Sequence, residues 1–342
     1  MRRGTLIFLL INLFTIGFLV NAFSTLIALL FTTGEADAIH RAEIPAPGSD
    51  MIETRTQLIP KIIHQTYINE SIPDRWLAGQ KSCKDLHEDY EYILWTDAKS
   101  REFIAAEYPW ALSNFDSYSF PIQRADAIRY FILAHYGGIY IDLDDGCNRR
   151  LDPLLSYPAW ARRTLPTGIS NDALGSVPQH PFFLRTIESL AGYNRNWFMP
   201  YVTVMYSTGP LFLSVLWVQY MRDKRPLSEH VRILLPEEYK GFTWSFFNVT
   251  KGNSWHGKDA ETIFWMGKHW FFLTVTGFAV AGVVGSVMWW AWNVWIILKL
   301  GISIYPAIPS PPIAQFLPLS EYRRSSFTAD VAAAEEEEEE VE

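Results

Sequence analysis

From residue 5 to residue 33 the chain carries no charge, and leucine, isoleucine and phenylalanine dominate. A helix needs ~20 apolar residues to cross a bilayer, whereas the apolar region of a cleaved signal peptide runs to only ~7–15. Residues 1–33 are therefore expected to hold a signal-anchor helix. Arg2 and Arg3 precede it, which predicts a cytosolic N-terminus. A second uncharged run extends from 270 to 298, with Gly277, Gly282 and Gly285 early and Trp289, Trp290, Trp292 and Trp295 late. Glycines are common in membrane helices and tryptophans gather at the interface, so residues 269–299 predict a second span. Lys299, Arg323 and Arg324 follow, which predicts that 300–342 is a cytosolic tail, proline-rich and then acidic. Between the spans, 34–57 with Pro45, Pro47 and Gly48 reads as a stem, and 58–268 as one folded domain.

Inside that domain the pattern is sharpest over 121–147, PIQRADAIRYFILAHYGGIYIDLDDGC. Ala125, Ile128, Ile132 and Tyr136 recur at helical spacing, predicting an amphipathic helix over 122–135. Pro121 suits its first turn, and Gly137-Gly138 ends it. The short run Ile139-Tyr140-Ile141 predicts a buried strand that stops at Asp142-Leu143-Asp144-Asp145. Helix, turn, strand and then carboxylates describe an α/β domain whose site lies at the carboxyl ends of the strands, where open sheets bind ligands. If the strand continues, alternation turns Asp142 and Asp144 to one face. Two carboxylates in one pocket repel unless a cation lies between them, and hard oxygen ligands suit Mg²⁺ or Mn²⁺. Asp126 and Arg129 share a helix face, either as an ion pair that includes Arg124 or as a pair turned into the cleft.

The formal net charge of -8 changes this picture little. Much of it is the run of glutamates at 335–340 with Glu342, a self-repelling and solvated tail. No basic patch points to nucleic acid. Cys83 and Cys147 are compatible with one disulfide or with two buried thiols. The sequons at Asn69 and Asn248 fall in the central segment, as a lumenal domain allows.

IPKIIHQTY at 59–67 and QRADAIRYFILAHYGGIYIDLD at 123–144 resemble glycosyltransferase family 32. The resemblance runs from residue 59 to about residue 261 and implies a GT-A fold, Rossmann-like with a single mixed sheet, in a lumenal domain flanked by two transmembrane helices. Gln65 and Tyr67, at the end of the opening strand, would bind the nucleotide, and Asp126, Arg129, Tyr140, Asp142 and Trp255 would contact the donor. The metal would be held by Asp142, Asp144 and His256, with Asn253 or Ser254 as substitutes for the histidine. Asn171 and Asp172 match the segment beside the sugar's reacting carbon and are the candidate catalytic pair. Thr208-Gly209-Pro210 matches a Thr-Gly-Pro loop whose plainer reading is a turn. Within the family, the late Ser254-Trp255-His256-Gly257 loop and the second span resemble the branch that mannosylates inositol phosphorylceramide. That branch implies GDP-mannose as donor, Mn²⁺ (or Mg²⁺) as metal, retention of configuration, a sphingolipid acceptor, a Golgi membrane location and a multi-pass calcium-binding regulatory subunit. An α-1,6-mannosyltransferase of N-glycan outer chains, a non-catalytic membrane scaffold and a two-span channel are the other readings. The scaffold would be expected to lose an aspartate of the pair, and the channel lacks an ionisable residue in either span.

Overall fold

The computed structural model describes residues 3–47, 53–250 and 257–300. In chain order, α1 (Arg3–Ala22) and α2 (Ser24–Phe31) lead to the short strand β1 (Ala38–Ile39). Then follow β2 (Ile62–Tyr67), α3 (Asp74–Leu86), β3 (Glu91–Thr96), α4 (Asp97–Glu107), α5 (Pro109–Asp116) and α6 (Pro121–Tyr136). The middle of the chain forms β4 (Gly138–Ile141), β5 (Asp145–Cys147), β6 (Ala159–Arg163), β7 (Ile169–Ser176), α7 (Pro181–Tyr193), α8 (Pro200–Ser207) and α9 (Pro210–Met221). It closes with β8 (Val231–Leu234), α10 (Pro236–Tyr239), β9 (Phe247–Val249), α11 (Lys258–Lys268) and α12 (Trp270–Leu300).

Seven strands form one mixed sheet in the order β1-β8-β6-β7-β4-β2-β3. Only β7 runs against its neighbours, pairing antiparallel with both β4 and β6. A small antiparallel pair, β5 with β9, lies beyond the end of β4. One core packs α6, α7 and α9 against the sheet, and a second gathers Ile39, Ile63, Ile141, Trp160 and Phe247. Helix α6 is buried on nearly every side rather than amphipathic, with residues 126 to 134 all out of water. It is a central helix, and apolar spacing alone does not reveal how many faces are covered.

The exit from α6 is set by two glycines in the left-handed region, Gly137 at φ 67° and Gly138 at φ 89°. A Cβ on Gly137 would meet Pro178 and the Ser176 carbonyl at 2.7 Å, and one on Gly138 would meet the Ile62 carbonyl at 2.8 Å. No other residue allows so tight a passage from helix to central strand. Cys83 on α3 and Cys147 on β5 form a disulfide across a separation of 64 residues. Closing a loop of that size restricts the unfolded chain by roughly 4 kcal/mol on the entropic model.

Two expectations about the N-terminal region change. Residues 34–57 are not simply a stem: Ala38 and Ile39 pair in parallel with Ile233 and Leu234 and form the sheet edge, and Ile44 is buried. The uncharged run before it is not one helix. It breaks at Phe23 and bends by 63° between α1 and α2. α1 is exposed, whereas α2 lies against α9 with Leu29 buried. The segment Pro200–Met221 is also apolar and long enough to span, yet 67% of its most apolar stretch is covered by the domain.

α12 belongs to a second compact unit that begins at Lys268. The segment Trp270–Lys299 is apolar throughout and none of it is covered by protein. By length and composition it is a candidate membrane span, and together with α1 it indicates membrane association.

Candidate active site

The carboxyl end of β4 opens into a cleft of about 1120 Å³. β4 stops at Ile141, and Asp142 to Asp145 make a tight turn in which the Asp145 amide donates to the Asp142 carbonyl at 3.1 Å. Alternation along a strand is thus not what brings Asp142 and Asp144 together. The turn does so, and it adds Asp145, so that all three line the cleft. Asp172 joins them from β7, because the Asp142 amide donates to the Asp172 carbonyl at 2.8 Å and extends the β4–β7 ladder by one step.

These four aspartates, with Asp126 from α6 as a fifth, face Arg129 and Arg162. Arg129 reaches up from α6, meeting Asp126 at 3.0 Å and Asp142 at 3.3 Å, and donates to the Asn171 carbonyl at 2.6 Å. Asp126 is buried and held in turn by the Asn171 amide at 3.0 Å and the Thr208 hydroxyl at 3.2 Å. The Asp126–Arg129 pair is therefore a buried girder that borders the cleft. Arg124 takes no part in it and donates to the Tyr118 carbonyl. Arg162 on β6 grips Asp172 with two nitrogens, and Tyr239 lies 2.6 Å from Asp145 and 3.2 Å from Asp172.

These partners divide the carboxylates electrically. Withdrawal from water pushes Asp142 up to about 7; Arg129 pulls the other way, while Asp144 and Asp172 repel it. Burial likewise raises Asp144, and raises Asp145 far more, with Asp172 adding to the latter. Burial would also raise Asp172, but the Arg162 guanidinium outweighs it and holds that carboxyl below the usual range. A site with this surplus of hard, partly desolvated oxygen donors fits a divalent cation. Among the described residues no three His, Cys, Asp or Glu side chains are arranged to hold one by themselves.

The remaining expected residues divide between wall and support. Tyr67 lines the cleft, edge-on to Trp76 at 5.8 Å. Gln65 is buried beneath it, with its amide 3.4 Å from the Asp142 carbonyl and its oxygen accepting from Tyr92. Tyr140 is fully buried; its hydroxyl donates to Asp142 at 2.6 Å, so it aims that carboxylate rather than lining the cavity. Asn171 borders the cleft, but its amide nitrogen is engaged by Asp126 and Tyr130. Trp255 and His256, with Asn253 and Ser254, lie outside the described residues. The chain on either side of them reaches the site: Thr250 donates to the Asp144 carbonyl at 2.8 Å, and Phe264 lines the cleft.

Arg162, Tyr239 and the role of Asp145 escaped the sequence reading. Arg162 lies ten residues before Asp172, opposite it only because β6 and β7 pair as an antiparallel hairpin. Asp145 stood inside the motif and could have been taken with it.

The arrangement is that of a DXD glycosyltransferase. The family described as a glycosyltransferase sugar-binding region containing a DXD motif matches residues 73–160. Mannosyl phosphorylinositol ceramide synthase CSH1 of Saccharomyces cerevisiae is 51% identical over 282 residues, covering 81% of this chain and 75% of that protein. SUR1, the synthase of the same name and organism, is 59% identical over 66% of this chain and 59% of its own length. Inositol phosphoceramide mannosyltransferase 3 of Schizosaccharomyces pombe is 51% identical over 69% of this chain and 66% of that protein. The chain belongs to this family of DXD glycosyltransferases.

Proposed function

We propose that the chain is a retaining, metal-dependent mannosyltransferase of GT-A fold that moves mannose from GDP-mannose onto inositol phosphorylceramide. The observation that carries this reading is the surplus of aspartate at the strand ends, in a family whose named members act on that lipid. Mn²⁺, or Mg²⁺, held by Asp142 and Asp144 with His256 or a neighbour, would neutralise charge on the departing diphosphate. Tyr140 and Arg129 orient Asp142 for that task. Tyr67 on the β2 side suits the nucleotide, and Trp255 the pyrophosphate; Thr250 beside Asp144 supports placing the late loop over the donor.

Asp172, kept ionised by Arg162, suits the far face of the sugar, where a fixed negative charge favours an oxocarbenium-like state. Attack then comes from the front face, with the departing phosphate taking the acceptor's proton. Asn171 acts by holding Asp126 rather than by touching the sugar.

Two spans would put both termini in the cytosol and the domain in the Golgi lumen. The Cys83–Cys147 disulfide and the exposed sequon residues Asn69 and Asn248 support that placement. A multi-pass calcium-binding regulatory partner belongs to the same reading and rests on the family resemblance.

The test is to incubate membranes containing the chain with labelled GDP-mannose and Mn²⁺, then separate lipid from protein. Label in a lipid that co-migrates with mannosylated inositol phosphorylceramide, abolished by chelation, is the expected result. Label in protein glycans alone would favour the outer-chain mannosyltransferase instead.

A further inference from the structure

The cleft has two unlike ends. Toward β2 and β3 it is bounded by Tyr67 and Trp95, at the strand ends where the nucleotide reading belongs. In the other direction it follows β7 away from Asp172, past Ser170, to a wall made of Leu29, Leu165, Pro166, Met205 and Leu211. Leu29 belongs to the main hydrophobic core yet comes from the N-terminal apolar run. It lies on α2, the short helix continuing the N-terminal anchor after the 63° bend.

α2 is fixed in that place. It packs on α9, Leu29 is only 3% exposed, and the Thr167 hydroxyl donates to the Leu29 carbonyl, tying α2 to the loop between β6 and β7. Gly168 sits against both Leu29 and Ser214, and the Ser214 hydroxyl meets the Ile169 amide at 2.9 Å. Thus the loop bearing Leu165 and the strand bearing Asp172 are held to the anchor as one piece.

We infer that α2 and the loop at Leu165 form the acceptor end of the active site, a wall that takes the hydrocarbon nearest the headgroup of a membrane lipid. This rests on the proposed transfer to a lipid and says where that lipid is read. Three observations support it. The wall presents Leu29, Leu165, Pro166, Met205 and Leu211, interspersed with Thr164, Thr167 and Ser214, in the same cleft as the carboxylate cluster. It includes Leu29 of α2, the helix that joins the exposed apolar helix α1 to the domain, so the wall lies on the side of the anchor. Its lip carries Leu165 at 72% exposed, beside the exposed ends of α2 at Leu30 and Phe31, which is costly in water and favourable against acyl chains. β7 carries the chain from Ile169 at the wall to Asp172 in the cluster through a shift of register against β6, and a polar headgroup rather than a chain bridges wall and cluster.

The experiment uses the full chain in mixed micelles with inositol phosphorylceramide, labelled GDP-mannose and Mn²⁺. Leu165→Glu is the leading variant because its exposed side chain bears little of the fold; Leu29→Asn is the buried counterpart. Lipid KM should rise roughly tenfold or more in Leu165→Glu, as for other mismatches in apolar subsites, while donor KM and slow hydrolysis of GDP-mannose stay within about twofold. A ceramide with a photoreactive group next to its headgroup should crosslink to residues 24–31 or 164–168. Unchanged lipid KM in both variants, or equal loss of lipid transfer and donor hydrolysis, overturns the inference while leaving the proposed function standing. A wild-type chain that hydrolyses donor but never mannosylates the lipid overturns both.

Discussion

Arg129 and Arg162 each meet an aspartate in the same cleft, one from a helix and the other from a strand, and the two pairs leave their carboxylates in opposite states. Arg129 is shared among Asp126, Asp142 and the Asn171 carbonyl, so its hold on Asp142 is partial and burial still drives that carboxyl up to about 7. Arg162 commits two nitrogens to Asp172 and holds it below the usual carboxylate range. An underserved carboxylate is one a cation stabilises; a fully paired one is fixed as a standing charge. The difference lies in how each arginine is divided among its neighbours, not in the kind of residues present.

The most severe way to break this contrast is to remove the underserved side. Asp142→Ala or Asp144→Ala should lower Mn²⁺-dependent mannosyl transfer by at least about 10³-fold in a chain that still folds and reaches its membrane. Retained activity in either variant would remove the metal from Asp142 and Asp144. Arg162→Ala strips the other pair and leaves Asp172 buried without its cation, which should cost about 3 kcal/mol, read as a fall in the denaturation midpoint of the purified chain. A change near zero would mean the grip on Asp172 contributes little.

Asp172→Asn keeps the shape and removes the charge. Turnover should fall by roughly 10²-fold with GDP affinity nearly intact, so equal loss of both would assign Asp172 to donor binding instead. The smallest effect is one of pH. Below about pH 7 a proton competes with the cation for Asp142, so activity at sub-saturating Mn²⁺ should drop about tenfold per pH unit and level off above 7. Asp172, depressed by Arg162, adds no slope in that range. A flat profile from pH 5 to 8 at limiting Mn²⁺ would show that Asp142 is already ionised without the metal.

The local path of the chain into the cleft was legible before the fold. The block from Pro121 to Asp145 keeps the order read from it, helix then glycine turn then strand then carboxylates, because each step is governed by residues within a few positions of one another. The apolar character of residues 270–298 was equally plain. Alternation did not place Asp142 beside Asp144, since the strand ends in a turn there, and three larger readings went astray because a distant neighbour decides them. Helix α6 is buried all round since sheet and helices cover every face. The anchor run breaks because α2 finds α9 to pack on. Residues 38–39 join the sheet because β8, nearly 200 positions later, offers them an open edge.

By itself the sequence determined the local grammar of this protein: where apolar helices run, where glycine must turn the chain, and which carboxylates end a strand. Those are short-range matters of steric freedom and hydrophobic spacing. Only the tertiary structure decided how charge is shared in the cleft, that Asp172 answers to Arg162 and Asp145 to Tyr239, and that the anchor's own continuation walls one end. Electrostatics and burial depend on what lies a few ångströms away in space, and β7, the single reversed strand, brings those residues together.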